Sequence, residues 1–529
     1  MYRILTASKD TYTTNKIINN EFRATDANVG KAASLDLFKL YAESTSGSNS
    51  SPTEISRLLI KFDLDPIRRL TGSILDLDDS SFSCTLSLTD VYGGQTCPSN
   101  FNIILFPLSR SFDEGVGMDV VTFADLDSCN FLTASVLSSS PTVWSKEGAN
   151  KQGFLGSNNI DIISSGTLSG SAGTVNLWKS QTFKTGRENL SLDITTIVSA
   201  TLKGLIPDHG FRLSYSGSEE TDSQTRFVKR FGSRNNTSFF NRPKIIVKFN
   251  DAIQDSHGSS YFGLSGSLFL NNFHQGAPSN ILSGASRTPI TESNSLLLIL
   301  ESGSSGQGTY FKKIVTASQH SVGTMFVSGV YSASFAISEY SASNKGETRT
   351  KISGGGAWSI DTLENEIRNA GSATFTEVWS SMDGTVGYHT GSLVINTVRR
   401  TSFENALKRL VVSITNMKSE FRIDDKYRFR VFVENIDRPI KAKKVPLVTP
   451  SSIFTKMYYE IRDVESGKVL IPFDTSKNST LLSTDSDGMY FDLYMDSLFK
   501  GSTFTINFLI KDEGIDQLFT DVAAKFRVV

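Results

Sequence analysis

The sequence predicts a mainly β, multi-domain protein: a jelly-roll-like sandwich followed by smaller β-sandwich and immunoglobulin-like domains. Three observations carry this reading. Apolar residues recur at every second position in many short runs, the period of a strand with one buried face. Tracts rich in Ser, Gly and Asn separate the runs and mark turns. The 529 residues include 36 Phe, a large apolar residue that favours strands and is well used in many half-buried ones. A chain of this length exceeds one core. The boundaries read as 1–250 for the first sandwich, 251–410 for a β-rich middle domain with short helices, and 411–529 for an immunoglobulin-like sandwich.

The first domain is organised around Ser56–Leu70, SRLLIKFDLDPIRRL. Leu58, Ile60 and Phe62 alternate with Leu59, Lys61 and Asp63, and Leu59 adds apolar weight to the second face, as in a strand covered on both sides. Pro66 ends it, because proline cannot donate to a ladder. Before it, Met1–Leu5 begins a strand, and Leu35, Leu37 and Phe38 lead into another. After it come alternating runs at Phe82–Leu88 and Phe101–Leu108. Asp193-Ile-Thr-Thr-Ile-Val predicts a capped helical turn with Ile194, Ile197 and Val198 on one face. GFRLSYSGS and RPKIIVKFND close the domain as two strands.

The order of these pieces resembles the DNRLRE-type β-sandwich of cell-surface and carbohydrate-binding-like modules. The matching residues are Asp10–Tyr12, Asn28–Leu37, Ser56–Leu64, Leu192–Val198 and Gly210–Ser216. The resemblance covers roughly the first 250 residues and implies a jelly roll of two antiparallel sheets. It transfers no ligand site, since the matched positions are core and turn residues. A Ser-, Gly- and Asn-rich insertion at about 115–183 departs from the family's pattern.

In the middle domain, frequent alternation and turns over Ser293–Val315 and Gly323–Ser343 predict an all-β domain. IDTLENEIRNAG predicts a helix with Asp361 and Glu364 at capping-box spacing and Gly371 as its C-terminal glycine. TSFENALKRL predicts a second, with Phe403, Ala406, Leu407 and Leu410 on one face. In the last domain Tyr427, Phe429, Val431 and Val433 alternate with Arg428, Arg430 and Phe432. KMYYEIRDVESGKVLIPFD reads as a hairpin turning at Glu465-Ser466-Gly467. No repeat period of about 20–50 residues argues for a solenoid or propeller.

Chemistry is sparse. Lys and Arg total 53 against 54 Asp and Glu, so no global field draws nucleic acid or an anionic membrane. Cys84, Cys97 and Cys129 make neither a metal spacing nor an even disulfide set, and reduced thiols fit assembly in a cytoplasm. The N-terminal MYRILTASKD lacks the apolar core of a signal peptide, and no run approaches bilayer length. His209, His257, His274, His320 and His389 show no ligand spacing. Asp485 and Asp487 read as a hairpin turn in preference to a calcium loop. Asp113-Glu114 is adjacent in sequence and so cannot flank a glycosidic bond. No GxSxG elbow occurs. The expectation is a protein that is not an enzyme, with no cofactor and no metal.

One stretch stands out. Arg226–Phe249 carries Arg226, Lys229, Arg230, Arg234, Arg242, Lys244 and Lys248 with no acid, interleaved with Phe. Arg226, Lys229, Arg230, Arg234, Phe239, Phe240 and Arg242 together suit an interface with an apolar centre and a basic rim. Arg438–Lys444 forms a smaller basic loop. As a whole the chain resembles virion structural proteins of tailed bacteriophages, which implies a tail, baseplate or neck component assembled in the host cytoplasm. Its expected partners are other virion proteins and further copies in a symmetric assembly, with neither membrane nor direct nucleic-acid contact. The alternative is a glycan-binding adhesin for a host glycan, with Trp144, Trp178, Trp358 and Trp379 as the platforms to inspect.

Overall fold

The computed structural model describes the chain apart from residues 44–51, 123–127, 138–139, 169–172, 285–286, 303–310, 338–366, 368, 398–407, 438–448, 513 and 523–524. The described residues are dominated by strands, with a few short helices. By internal contacts they sort into two units. One is Tyr2–Arg69 with Phe82–Lys248; the other is Met1, Leu70–Ser81 and Phe249–Val529.

In the first unit the expected organising strand is Thr53–Phe62, which pairs with Tyr2–Thr14, Phe211–Tyr215 and Ser34–Tyr41. Leu58, Leu59, Ile60 and Phe62 are all buried. Tyr2–Thr14 is longer than its apolar start suggested. Its first half pairs antiparallel with Lys244–Lys248, and after a register break between Ala7 and Lys9 its second half pairs with Thr53–Phe62. The two-faced character of Thr53–Phe62 has a specific cause. Leu59 packs in a second core with Phe106, Leu108, Phe112, Cys129, Ala134, Trp144 and Ile162. Much of that core comes from the insertion.

The expected helical turn is Thr195–Leu202, with Ile194, Ile197 and Val198 buried. The Asp193 carboxylate accepts from the Thr195 N–H at 2.9 Å and from its hydroxyl at 2.6 Å, which satisfies a free donor at the helix start. Phe101 stacks on Phe183 at 5.0 Å and meets the edge of Tyr215 at 5.3 Å, so the phenylalanines fill half-buried strands as their number suggested.

The second unit holds two modules. A six-stranded antiparallel sheet runs from Ser265–Asn271 through Met325–Ala336, Phe311–Val322, Leu296–Ser302 and Ser372–Ser380 to Gly387–Asn396. Leu268, Leu296, Leu298, Leu300, Tyr331, Phe375, Trp379 and Leu393 build its core. Gly371 ends the first helix as expected: φ is +86°, and its N–H donates to the Ile367 carbonyl at 2.7 Å. The capping-box residues Asp361 and Glu364 lie outside the described residues, as do Phe403, Ala406 and Leu407 of the second helix. Leu410 is a correction, since it opens the strand Leu410–Ile414. Its pairing with Asn435 offers the backbone a ladder in place of a helical turn.

The C-terminal module is a two-layer β-sandwich. One sheet contains Leu410–Ile414, Lys426–Asn435, Gly488–Tyr494 and Ser483–Asp485; the other contains Glu420–Phe421, Phe526–Val528, Thr503–Asp512, Met457–Asp463, Val469–Ile471 and Ile515–Phe519. Aromatic rings join the layers. Phe491 of the first stacks on Tyr459 of the second at 4.2 Å and on Phe429 of its own sheet at 5.1 Å. The Met457–Ile471 hairpin turns where expected, with Gly467 at φ +66° and the Asp463 carboxylate accepting from the Ser466 N–H at 2.8 Å. All three cysteines are free and lie in the first unit, so this sandwich has no inter-sheet cystine.

Candidate functional site

The basic stretch is placed by two strands, Arg226–Gly232 and Lys244–Lys248. The first pairs with Ser34–Tyr41, which sets Arg230 opposite Asp36. Its cations do not form one accessible cluster, and this corrects the sequence expectation. Lys229 is 0% exposed; its ammonium meets Asp90 at 2.5 Å and the carbonyls of Gly186 and Glu188 at 2.9 and 2.8 Å. Arg226 is buried and binds Asp222 through both terminal nitrogens, at 2.8 and 2.6 Å. Arg230 grips Asp36 at 2.7 and 2.6 Å. Arg234 grips Glu114 in the same two-pronged way. The physical reason is that folding delivers carboxylates from remote positions. A run without acids in sequence is thereby neutralised in space, as desolvated charges require. The Arg226 guanidinium holds Asp222 well below the usual carboxylate range.

What stays nearer the surface is smaller. Phe239 and Phe240, in a short 3-10 turn, and Arg242 are half-buried. The Arg242 guanidinium lies 3.9 Å from the centre of the Phe239 ring and donates to the Asn236 carbonyl at 2.9 Å. In Lys244–Lys248 burial alternates, with Ile245 and Val247 buried and Lys244, Ile246 and Lys248 half-buried. The loop Arg438–Lys444 lies outside the described residues.

Arg234 ends in a knot that joins two motifs singled out from the sequence. The buried Asn28 donates to the carbonyls of Glu114 and Cys129, both at 2.8 Å, and accepts from the N–H groups of Gly30 and Gly117 at 3.1 and 3.0 Å. Backbones approach so closely that a Cβ on Gly117 would lie 1.8 Å from the Asn28 carbonyl oxygen. Glu114 also accepts from the Asp10 N–H at 2.9 Å, and Asp10 accepts from the Arg234 N–H at 2.6 Å. The other Asp10 oxygen is buried without a hydrogen bond. Burial pushes the Asp10 carboxyl up to about 7. Asp113 accepts from the Val136 N–H at 3.0 Å. The Asp113-Glu114 pair thus has internal partners on both sides.

A second cluster was not legible in the sequence. His257 lies between Asp255, 2.5 Å from Nδ1, and Glu377, 2.6 Å from Nε2. Glu377 also accepts from the indole N–H of Trp379, and Asp255 from the Phe269 N–H at 2.9 Å. Burial opposes the imidazolium, but its bonds to the two carboxylates win and lift His257 to about 10. The arrangement is a charged tie between a loop and a strand. No nucleophilic side chain bonds to it among the described residues.

The remaining candidates fall into place. Asp485 opens a two-residue turn, Asp487 lies within it, and the two face Arg430 at 2.6 and 3.5 Å. Cys84 and Cys129 are buried, and burial pushes both thiols up. Trp144 and Trp379 are core residues, unsuited as sugar platforms. Trp178 is partly exposed, and Trp358 lies outside the described residues. Among the described residues no group of three His, Cys, Asp or Glu side chains could hold a metal ion, and no helix is long and apolar enough to cross a membrane.

No protein-family model matches the chain, and no curated protein does. Among solved structures, tandem Ig repeats of Dlar match at 8% identity over 51% of this chain and 92% of that one, with a TM-score of 0.13. Trypsin-activated alpha-2-macroglobulin from Escherichia coli matches at 7% identity over 90% of this chain and 23% of that one, with a TM-score of 0.13. The protocadherin GammaB4 extracellular domain matches at 9% identity over 98% of this chain and 61% of that one, with a TM-score of 0.12. Superpositions this loose carry no argument. The β-sandwich character rests on the chain's own sheets.

Proposed function

We propose that this chain is a non-enzymatic structural component of a tailed-phage virion, in the tail, baseplate or neck, whose β modules act as stiff spacers between other virion proteins and further copies of itself. The observation that supports this most is how its charged side chains are used. Arg57, 3% exposed, binds Glu220 at 3.0 and 2.8 Å and the carbonyls of Glu147 and Gly148 at 3.1 and 2.9 Å. The buried Asp161 accepts from the N–H groups of Ser145, Lys146 and Lys151 at 2.7, 2.9 and 2.9 Å. Long loops are thereby tied down by satisfied polar networks, which suits a rigid spacer. The DNRLRE-type resemblance of the first 250 residues belongs to the same reading. Within it, docking narrows to Phe239, Phe240 and Arg242. Mass spectrometry and immunogold labelling of purified particles test it. The protein should be present in stoichiometric amounts at a fixed place, and its absence from intact particles refutes the reading.

A further inference from the structure

The second unit contains a cleft of about 490 Å³ whose walls include Asp79, Asn250, His320, Ser321, Lys477 and Asn478. Short backbone-anchored bonds fix those walls. Ser81 Oγ accepts from the Asn250 N–H at 2.9 Å, and the Lys477 ammonium donates to the Ser80 carbonyl at 2.5 Å. Asn478 is held by the Tyr458 hydroxyl at 3.0 Å. The volume lies in the range that small-molecule sites occupy.

The chemistry of the lining selects among ligands. It contains one acid and one base, so neither an anion nor a cation gains a dominant field. The rest are hydroxyls, amides and an imidazole, groups that both donate and accept. His320 packs edge-on against Phe269 at 5.1 Å, and no hydrogen bond occupies its ring nitrogens among the described residues. Burial keeps it neutral, with one donor and one acceptor. Val322 and Ala252 add a small apolar surface beside it. A ligand matched to this lining is uncharged, rich in hydroxyls and edged with C–H groups.

We propose that this cleft binds a neutral mono- or disaccharide through His320 and the surrounding amides and hydroxyls. The site is independent of the virion reading, whose particle-labelling test is unaffected by the result here. Saturation-transfer NMR on the full chain, with glucose, galactose, N-acetylglucosamine, maltose and lactose as probes, tests it. At least one sugar should bind saturably, with a Kd of about 1 mM or tighter. Ser321→Trp, which fills the cleft, should weaken that binding at least about tenfold, and His320→Ala should weaken it at least about fivefold. Amide spectra establish that each variant is folded; if Ser321→Trp is not, His320→Ala decides alone. Failure of all five sugars to bind overturns the proposal. So does binding that survives unchanged in the folded variants, or a sulfated disaccharide that binds more tightly than every neutral one.

Discussion

The first unit and the C-terminal sandwich use charge in opposite ways. In the first unit Lys39, Lys229, Arg57 and Arg212 are buried beside carboxylates. In the C-terminal module the interior is aromatic, and Lys426, Arg428 and Arg430 sit on an outer face over Tyr494 and Tyr490. Their carboxylates, Asp492, Asp485 and Asp487, sit on or beside the neighbouring strand. A desolvated pair contributes little over an apolar pair while both partners are present, yet removing one strands the other. A solvated pair changes little either way. Buried pairing therefore fixes which loop meets which strand, while outer pairing decorates a fold already determined by its rings.

The sharpest way to break this contrast is Lys229→Met. It leaves Asp90 without its cation and should cost about 3–5 kcal/mol in chemical denaturation. Phe62→Ala, at a buried position in the organising strand, should cost a similar 3–5 kcal/mol or so. A near-neutral result for either would mean that the first unit does not depend on that side chain.

Next comes pH. Asp10 titrates near 7 in the fold, above its unfolded value. Its contribution is therefore fully present below about pH 4 and is lost as pH rises through 7. Asp10→Asn keeps an acceptor for the Arg234 N–H and removes that loss. The variant should match the wild type near pH 4 and exceed it near pH 8, by at most about 4 kcal/mol. His257, raised to about 10, gives stability that is present below about pH 6.5 and fades as pH climbs to 10. Amide protection factors around Asp255 and Glu377, normalised to the intrinsic exchange rate at each pH, should fall over that interval, and His257→Gln should flatten the fall.

The smallest effect is expected at the outer face. Arg428→Ala breaks a pair in which Arg428 is 44% exposed and should cost under about 1 kcal/mol. A loss comparable to that of Lys229→Met would erase the distinction. The same module, expressed as residues 411–529, should melt cooperatively on its aromatic core; a broad, non-cooperative melt would show that the core needs the rest of its unit.

Strands were legible where one face is apolar and the next polar. Thr53–Phe62, Lys426–Asn435 and the Met457–Ile471 hairpin follow from alternation and turn chemistry. The insertion's core was not, because Cys129, Ala134, Trp144 and Ile162 follow no period and meet only through Leu59 and its neighbours. The polar clusters were illegible for a related reason. Asp36 and Arg230 are 194 positions apart, Glu114 and Arg234 are 120 apart, and His257 and Glu377 are also 120 apart. A local window sees the cations of Arg226–Lys248 and cannot see what neutralises them. Gly371 was readable because a left-handed residue after a helix is a local requirement.

Leu59 belongs to the main ladder of the first unit and also to the core that the insertion helps build. It is a party wall: two rooms share it, and neither can be demolished alone. Trimming residues 115–183 to recover a shorter sandwich would bare Leu59, Phe106 and Leu108 on the outside of the sheet, an apolar patch of the kind that drives aggregation. For anyone dissecting this protein, the segment that looks most like a dispensable surface loop is therefore the wrong place to cut.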